Sequence, residues 1–190
     1  MSFTFRSEAS VQNKIRDILV KFLNKKFNGI TITEIESEYK IEDRRADIVV
    51  LKDDGQPLLI IETKKKYDKP SSHRIERRFH VMSEEVLGQV FSYAAILKRK
   101  GIYVPFVATA NDVQIVIFEV PQDIDARVDW QKIKERDYGK VLKSEYIYET
   151  LRDKYLLRHE KIKFNEDFFA DLLNLITGIY TKKYSPEEKR

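Results

Sequence analysis

Arg44-Arg45-Ala46-Asp47-Ile48-Val49-Val50-Leu51, then Lys52-Asp53-Asp54-Gly55-Gln56-Pro57, then Leu58-Leu59-Ile60-Ile61-Glu62-Thr63-Lys64 is the stretch that decides the fold. Two short runs of Val, Ile and Leu flank a turn-forming segment, which predicts a β-hairpin. Ile48 and Val50 would oppose Ile61 and Leu59, and Val49 and Leu51 would oppose Ile60 and Leu58. Both faces are therefore apolar, and a sheet covered on both sides is implied. Past their first residues the two runs carry only Asp47, Glu62 and Lys64 as charges.

The turn sets the expected register. Asp-Gly is favoured at the centre of a two-residue hairpin loop. With Asp54-Gly55 as that loop, Asp53 faces Gln56, Lys52 faces Pro57, Asp47 faces Glu62 and Arg45 faces Lys64. Pro57 is tolerable at a strand start, where no amide donor is needed. Facing residues have Cβ atoms roughly 4.5–5.5 Å apart, and like charges there repel. Charges buried among Val, Ile and Leu are costly unless compensated. A hard divalent cation with oxygen ligands would turn that repulsion into a site, and a phosphate would compensate Lys64.

The bulk numbers are compatible with such a site. A chain of 190 residues is one domain, or one domain with an appendage. The absence of cysteine excludes disulfides, thiolate zinc sites and cysteine-held iron–sulfur clusters. No apolar run approaches the roughly 20 residues of a membrane span, and the N-terminus lacks a signal-peptide pattern. A cytoplasmic protein is expected. The charge is unevenly spread. Lys64, Lys65, Lys66, Lys69, Arg74, Arg77 and Arg78 stand against Asp68 and Glu76 only, a local excess larger than the whole chain's +4. Such a patch beside an acidic site suits a polyanion.

Flanking elements follow from periodicity. Ser7 is placed to cap a helix on which Val11, Ile15, Ile18, Leu19, Phe22 and Leu23 form one stripe, ending near Asn28-Gly29. Glu8 lies on that stripe, which makes it either a further ligand or a partner of the helix dipole. Residues 30–41 read as a strand with Ile35, Tyr39 and Ile41 on one face and Glu34, Glu36 and Glu38 on a solvated face. A charged loop spans 67–81. Ser83 caps a second helix with Glu84 and Glu85 in its first turn and Lys98-Arg99-Lys100 at its end. Strands over 103–109 and 113–120 follow, joined by Asn111-Asp112. Past Pro121, aromatics and charges at helical spacing predict two or three helices that pack on the core or on a partner. Packing on their own sheet is the commoner arrangement, and Trp130, Phe168 and Phe169 are the candidate contacts for self-association. His73, His80 and His159 have no ligand spacing and read as surface residues.

Helix, three strands carrying Asp47 and Glu62-x-Lys64, helix, then strand resembles the core of the PD-(D/E)XK nuclease superfamily. Gln89-Val90-Phe91-Ser92-Tyr93 is similar to the QxxxY motif of its RecB-like members and of the nuclease domain of type I restriction enzyme motor subunits. Ala46 stands where the superfamily name has proline, and no GxxxxGK[ST] stretch is present, so neither a motor nor a nucleotide cofactor is expected. The resemblance implies an α/β fold. Its restriction-endonuclease-like αβββαβ core would hold a central mixed sheet of four to five strands flanked by helices over 1–125, with a helical extension over 126–181 and a charged tail over 182–190.

It also implies a metal-dependent DNA endonuclease of restriction or defence type. Asp47, Glu62 and the Thr63 carbonyl would hold Mg²⁺ or Mn²⁺, with Glu8 on a second ion or a bound water. Lys64 would orient the attacking water or offset charge as an ammonium, since a pKa near about 10.4 would have to fall far for a free base. Gln89 would contact the substrate or the Lys64 region, Tyr93 the DNA backbone, and Arg45, Lys65, Lys66, Arg74, Arg77 and Arg78 the substrate DNA. A non-catalytic nucleic-acid-binding subunit, a RecB-like exonuclease and a junction resolvase stay open as alternatives, as do a homodimer and a larger defence complex.

Overall fold

Val, Ile and Leu on both sides of the Asp-Asp-Gly segment do form a hairpin, and the rest of the chain is built outward from it. The computed structural model describes residues 8–64, 83–112, 114–143, 155–160 and 165–184, with the side chains of residues 8, 9 and 155–160 outside the description. The elements are α1 (Glu8–Leu19), β1 (Lys26–Phe27), β2 (Ile30–Ile41), β3 (Arg44–Lys52), β4 (Pro57–Thr63) and α2 (Glu84–Arg99). They continue with β5 (Phe106–Ala110), β6 (Gln114–Glu119), α3 (Trp130–Glu135), β7 (Tyr155–Glu160) and α4 (Glu166–Tyr184).

The strands lie in one mixed sheet in sequence order, β1 to β7. All neighbours are antiparallel except β4 and β5, which are parallel and joined through α2. The sheet is larger than the four to five strands expected. Six strands have five or more residues, and the two-residue β1 extends the edge. One cluster of buried side chains joins α2 to Val49, Leu51, Ile60 and Val107. A second joins α1 and α4 to Ile48, Val50, Leu59 and Ile61. Helices thus cover both faces, as an apolar hairpin requires.

Three local expectations are corrected. Asn28-Gly29 does not end α1, whose α-helix stops at Leu19 and runs on as one 3-10 turn. Asn28 and Gly29, at φ 51° and 82°, instead form the two-residue turn between β1 and β2, since paired positive φ is what a type I′ hairpin needs. Tyr39 and Ile41 do not share a face with Ile35: Ile35 lies in the α1 cluster, while Ile41 lies in the α2 cluster with Tyr39 packed against it. Glu38 between them sits at φ 55°, a left-handed conformation that costs a non-glycine residue about 1 kcal/mol and reverses the strand's alternation.

The third concerns the C-terminal region, expected to be helical, which contributes β7 to the sheet beside β6. Its Phe168 and Phe169 are buried with α1 and the sheet, the packing on the core that is the commoner of the two arrangements expected. The tail expected from 182 is helical through Tyr184. Among the described residues no helix is long and apolar enough to cross a membrane.

Candidate active site

The β3–β4 register is the one the carboxylates require, reached by a different turn. Lys52 N–H donates to Gln56 O at 3.1 Å and Gly55 N–H to Lys52 O at 2.8 Å, enclosing the three-residue loop Asp53-Asp54-Gly55 with Gly55 at φ 77°. That loop makes Leu51 face Pro57 rather than Leu58, and Lys52 is not opposite Pro57. A bulge then leaves one extra residue, Leu58, between the Leu51–Pro57 and Val50–Leu59 pairs. The pairing returns to Val50–Leu59, Val49–Ile60 and Ile48–Ile61. Two departures cancel, and Asp47 and Glu62 fall one residue past the last rung on each strand.

There the strands part. Glu62 and Thr63 pair with Thr109 and Ala110 of β5, and the edge of Thr63 that β3 would have covered is met by the Asp47 side chain. Thr63 N–H and Thr63 Oγ1–H both donate to Asp47 Oδ2, at 2.7 and 2.8 Å. Glu62 is 2% exposed, and its Oε1 lies 3.4 Å from Lys64 Nζ. Burial raises the Asp47 carboxyl above the usual carboxylate range. The two Thr63 hydrogen bonds and the Lys64 charge pull it back, and the Glu38 charge adds to the rise. Lys64 pairs with Glu62, and its charge also favours the ionised Asp47.

Gln89 and Tyr93 stand one turn apart on α2, with Gln89 Nε2 donating to the Tyr93 hydroxyl at 2.9 Å. Ser83 starts this helix as expected, its Oγ accepting from Val86 N–H at 3.3 Å. Tyr93 is 2% exposed. Its phenol is pushed well above its ordinary pKa, first by burial and then by the charge of Glu62, with Tyr138 and Asp47 adding to the effect. Tyr93 is therefore buried within the field of the two carboxylates, while Gln89 beside it is half-exposed. Tyr93 is held as a neutral phenol that accepts from Gln89.

Other expected site residues are not gathered here. Arg45 is exposed and pairs with Lys40 of β2, because the β3–β4 ladder has ended before it could meet Lys64. Glu8 opens α1, but its side chain is outside the description, as are Lys65, Lys66, Arg74, Arg77, Arg78, His73 and His80 altogether.

Two residues not singled out from the sequence do reach the site. Gln12 of α1 is 8% exposed, and its Nε2 donates to the Asp47 carbonyl at 2.8 Å and to Glu38 Oε1 at 3.0 Å. Glu38 lies between Ser37, which pairs with Ile48, and Tyr39, which pairs with Ala46, and so stands across β3 from Asp47. The signal for Gln12 was its place beside Val11 and Ile15 on the apolar stripe.

The donor set suits a hard cation. Asp47 and Glu62 bring two carboxylates to one end of the β3–β4 pair, with Lys64 Nζ 3.4 Å from Glu62. Among the described residues no group of three or more His, Cys, Asp or Glu side chains is disposed to enclose a metal. Mg²⁺ does not need one, since it is commonly held by one or two carboxylates with waters and substrate phosphate completing its shell.

The raised Asp47 carboxyl has a consequence for stability. The folded chain holds that proton more tightly than the unfolded chain, whose aspartate titrates near about 3.9. Metal-free stability should therefore fall as pH rises from there through the folded value, and stay lost above it. Asp47→Asn keeps an acceptor for Thr63 and removes the charge. Melting in chelator from pH 4 to 8 should show the variant a few degrees above wild type at pH 7, with the gap closing toward pH 4.

No family model matches the chain, and no curated protein matches it. Among solved structures it is similar to the type IIG restriction endonuclease BpuSI, at 17% identity and a TM-score of 0.46, over 82% of this chain and 18% of that one. The chain thus spans less than a fifth of that protein's length, and a likeness of this degree carries no weight for fold or activity. The functional reading rests on the site.

Proposed function

We propose that this chain is a metal-dependent deoxyribonuclease of the restriction-endonuclease-like type. The observation that supports it is the end of the hairpin: half-buried Asp47 and buried Glu62 each stand one residue past the last β3–β4 rung, with Lys64 Nζ 3.4 Å from Glu62. A protein that only binds nucleic acid needs none of the three.

Mg²⁺ or Mn²⁺ at Asp47 and Glu62 would supply Lewis acidity at the scissile phosphate and a water of lowered pKa. The chain's own residues do the rest. Thr63 fixes Asp47 through two hydrogen bonds to one oxygen and leaves the other, Oδ1, for the cation. Glu62 holds Lys64 in place, and the ammonium offsets charge that grows on the phosphate in the transition state. Tyr93, kept neutral between the acids and α2, adds no further negative charge where an anionic substrate must dock. The basic 64–80 segment would follow phosphates along the strand.

The test is cleavage of supercoiled, linear and branched DNA in Mg²⁺ or Mn²⁺ with a chelator control. Nicking that appears with the metal and vanishes with chelator is expected. DNA binding with no cleavage of any form in either metal would replace the nuclease with a binding module. The relative rates on the three forms separate endonuclease, exonuclease and resolvase.

A further inference from the structure

We infer that Gln12 is a positioning residue for Asp47, holding the carboxylate-bearing strand from the opposite face of the sheet; this rests on the nuclease reading above. A glutamine amide nitrogen has two protons, and both are used: one on the Asp47 carbonyl at 2.8 Å, one on Glu38 Oε1 at 3.0 Å. Both partners are acceptors only, so the amide has one orientation. Gln12 is buried in the α1 cluster, where a polar side chain is costly unless its hydrogen bonds are made.

The place matters. Asp47 has lost its β4 rung, since the ladder ends at Ile48–Ile61, and no β2 pairing is formed between Glu38 and Asp47. The backbone carbonyl of the candidate ligand is therefore held by a helix side chain where a strand neighbour would ordinarily hold it. Glu38, at φ 55°, is bent out of the strand alternation. That places its carboxylate against Gln12 while its own strand reverses face. A strained residue engaged with a ligand's support is what a site, rather than a plain strand, retains.

The readout is Mn²⁺ affinity by calorimetry, with melting in chelator measured alongside. Gln12→Met keeps the volume and loses both donors. It is expected to fold, to melt lower, and to bind Mn²⁺ about tenfold more weakly, as loss of a ligand's outer partner commonly does. The double variant Gln12→Glu with Glu38→Gln exchanges donor and acceptor. It restores the helix–strand bond and the net charge but gives the Asp47 carbonyl no donor. Its Mn²⁺ affinity should stay weak and its melting below wild type, because the carboxylate at position 12 sets an acceptor against the Asp47 carbonyl. Wild-type affinity in Gln12→Met, or recovery of affinity together with melting in the double variant, would reduce Gln12 to a structural strap. Wild-type protein that binds no Mn²⁺ would instead overturn the nuclease reading, and the positioning role with it.

Discussion

Lys64→Ala is expected to slow single-turnover nicking of plasmid DNA in Mg²⁺ by about 10²–10³-fold, the usual cost of losing one group that stabilises developing charge. Glu62→Gln should cost at least as much. The substitution is close to isosteric, but it removes both a cation ligand and the partner 3.4 Å from Lys64 Nζ. Both variants should keep the native circular dichroism spectrum, because Ile60, Ile61 and the Thr63–Asp47 bonds that hold this end of β4 are untouched. Lys64→Ala should nonetheless melt lower, since it leaves the buried Glu62 carboxylate without its ammonium. DNA affinity in chelator should also persist, since the basic segment beyond Lys64 is intact. A wild-type nicking rate in either variant would reject the assignment. So would a rate that falls only in proportion to the folded fraction.

The hairpin was legible because its binary pattern is strong and its turn residues are specific. Its register was legible for an incomplete reason. Asp-Gly suggested a two-residue loop, but the chain uses three, and only the extra residue at Leu58 brings Asp47 and Glu62 back into line. A bulge leaves no mark on an apolar run, since Leu58 is buried either way. Gln89 and Tyr93 were found as a pair, one turn apart, but the burial of Tyr93 was not foreseen. That placement depends on how closely α2 approaches the sheet, which helix periodicity does not report.

Glu38 is exposed, as its place with Glu34 and Glu36 on a solvated face leads one to expect, but it also meets Gln12. Its left-handed φ breaks that alternation, and nothing short of tertiary structure signals the break at a glutamate. β7 was missed for a similar reason. Tyr155-Leu156-Leu157-Arg158-His159-Glu160 does not alternate, and it becomes a strand because β6 offers it an open edge.

How closely α2 sits on its neighbours is itself testable at Gly88, one residue before Gln89. A Cβ built there falls 2.8 Å from the Tyr138 carbonyl carbon and inside the radius of its oxygen. The obstacle is backbone, in a 3-10 turn tied by Val141 N–H to Tyr138 O at 3.2 Å, so no side chain can rotate away. Gly88→Ala should gain about 1 kcal/mol of helix propensity and lose more than that to overpacking, which costs about 1–3 kcal/mol and at times more.

A net loss of about 2 kcal/mol would lower the melting temperature by roughly 4–8 °C in a chain of this size. Gly139→Ala, whose Cβ would meet nothing within 4 Å, serves as the control and should leave melting near wild type. Separation of α2 from the 138–140 turn would also carry Tyr93 away from Asp47 and Glu62. Cleavage by the folded Gly88→Ala protein should therefore fall, while Gly139→Ala keeps it. Melting of Gly88→Ala at or above wild type would mean that α2 does not rest on the Tyr138 carbonyl, and the buried position of Tyr93 would go with it.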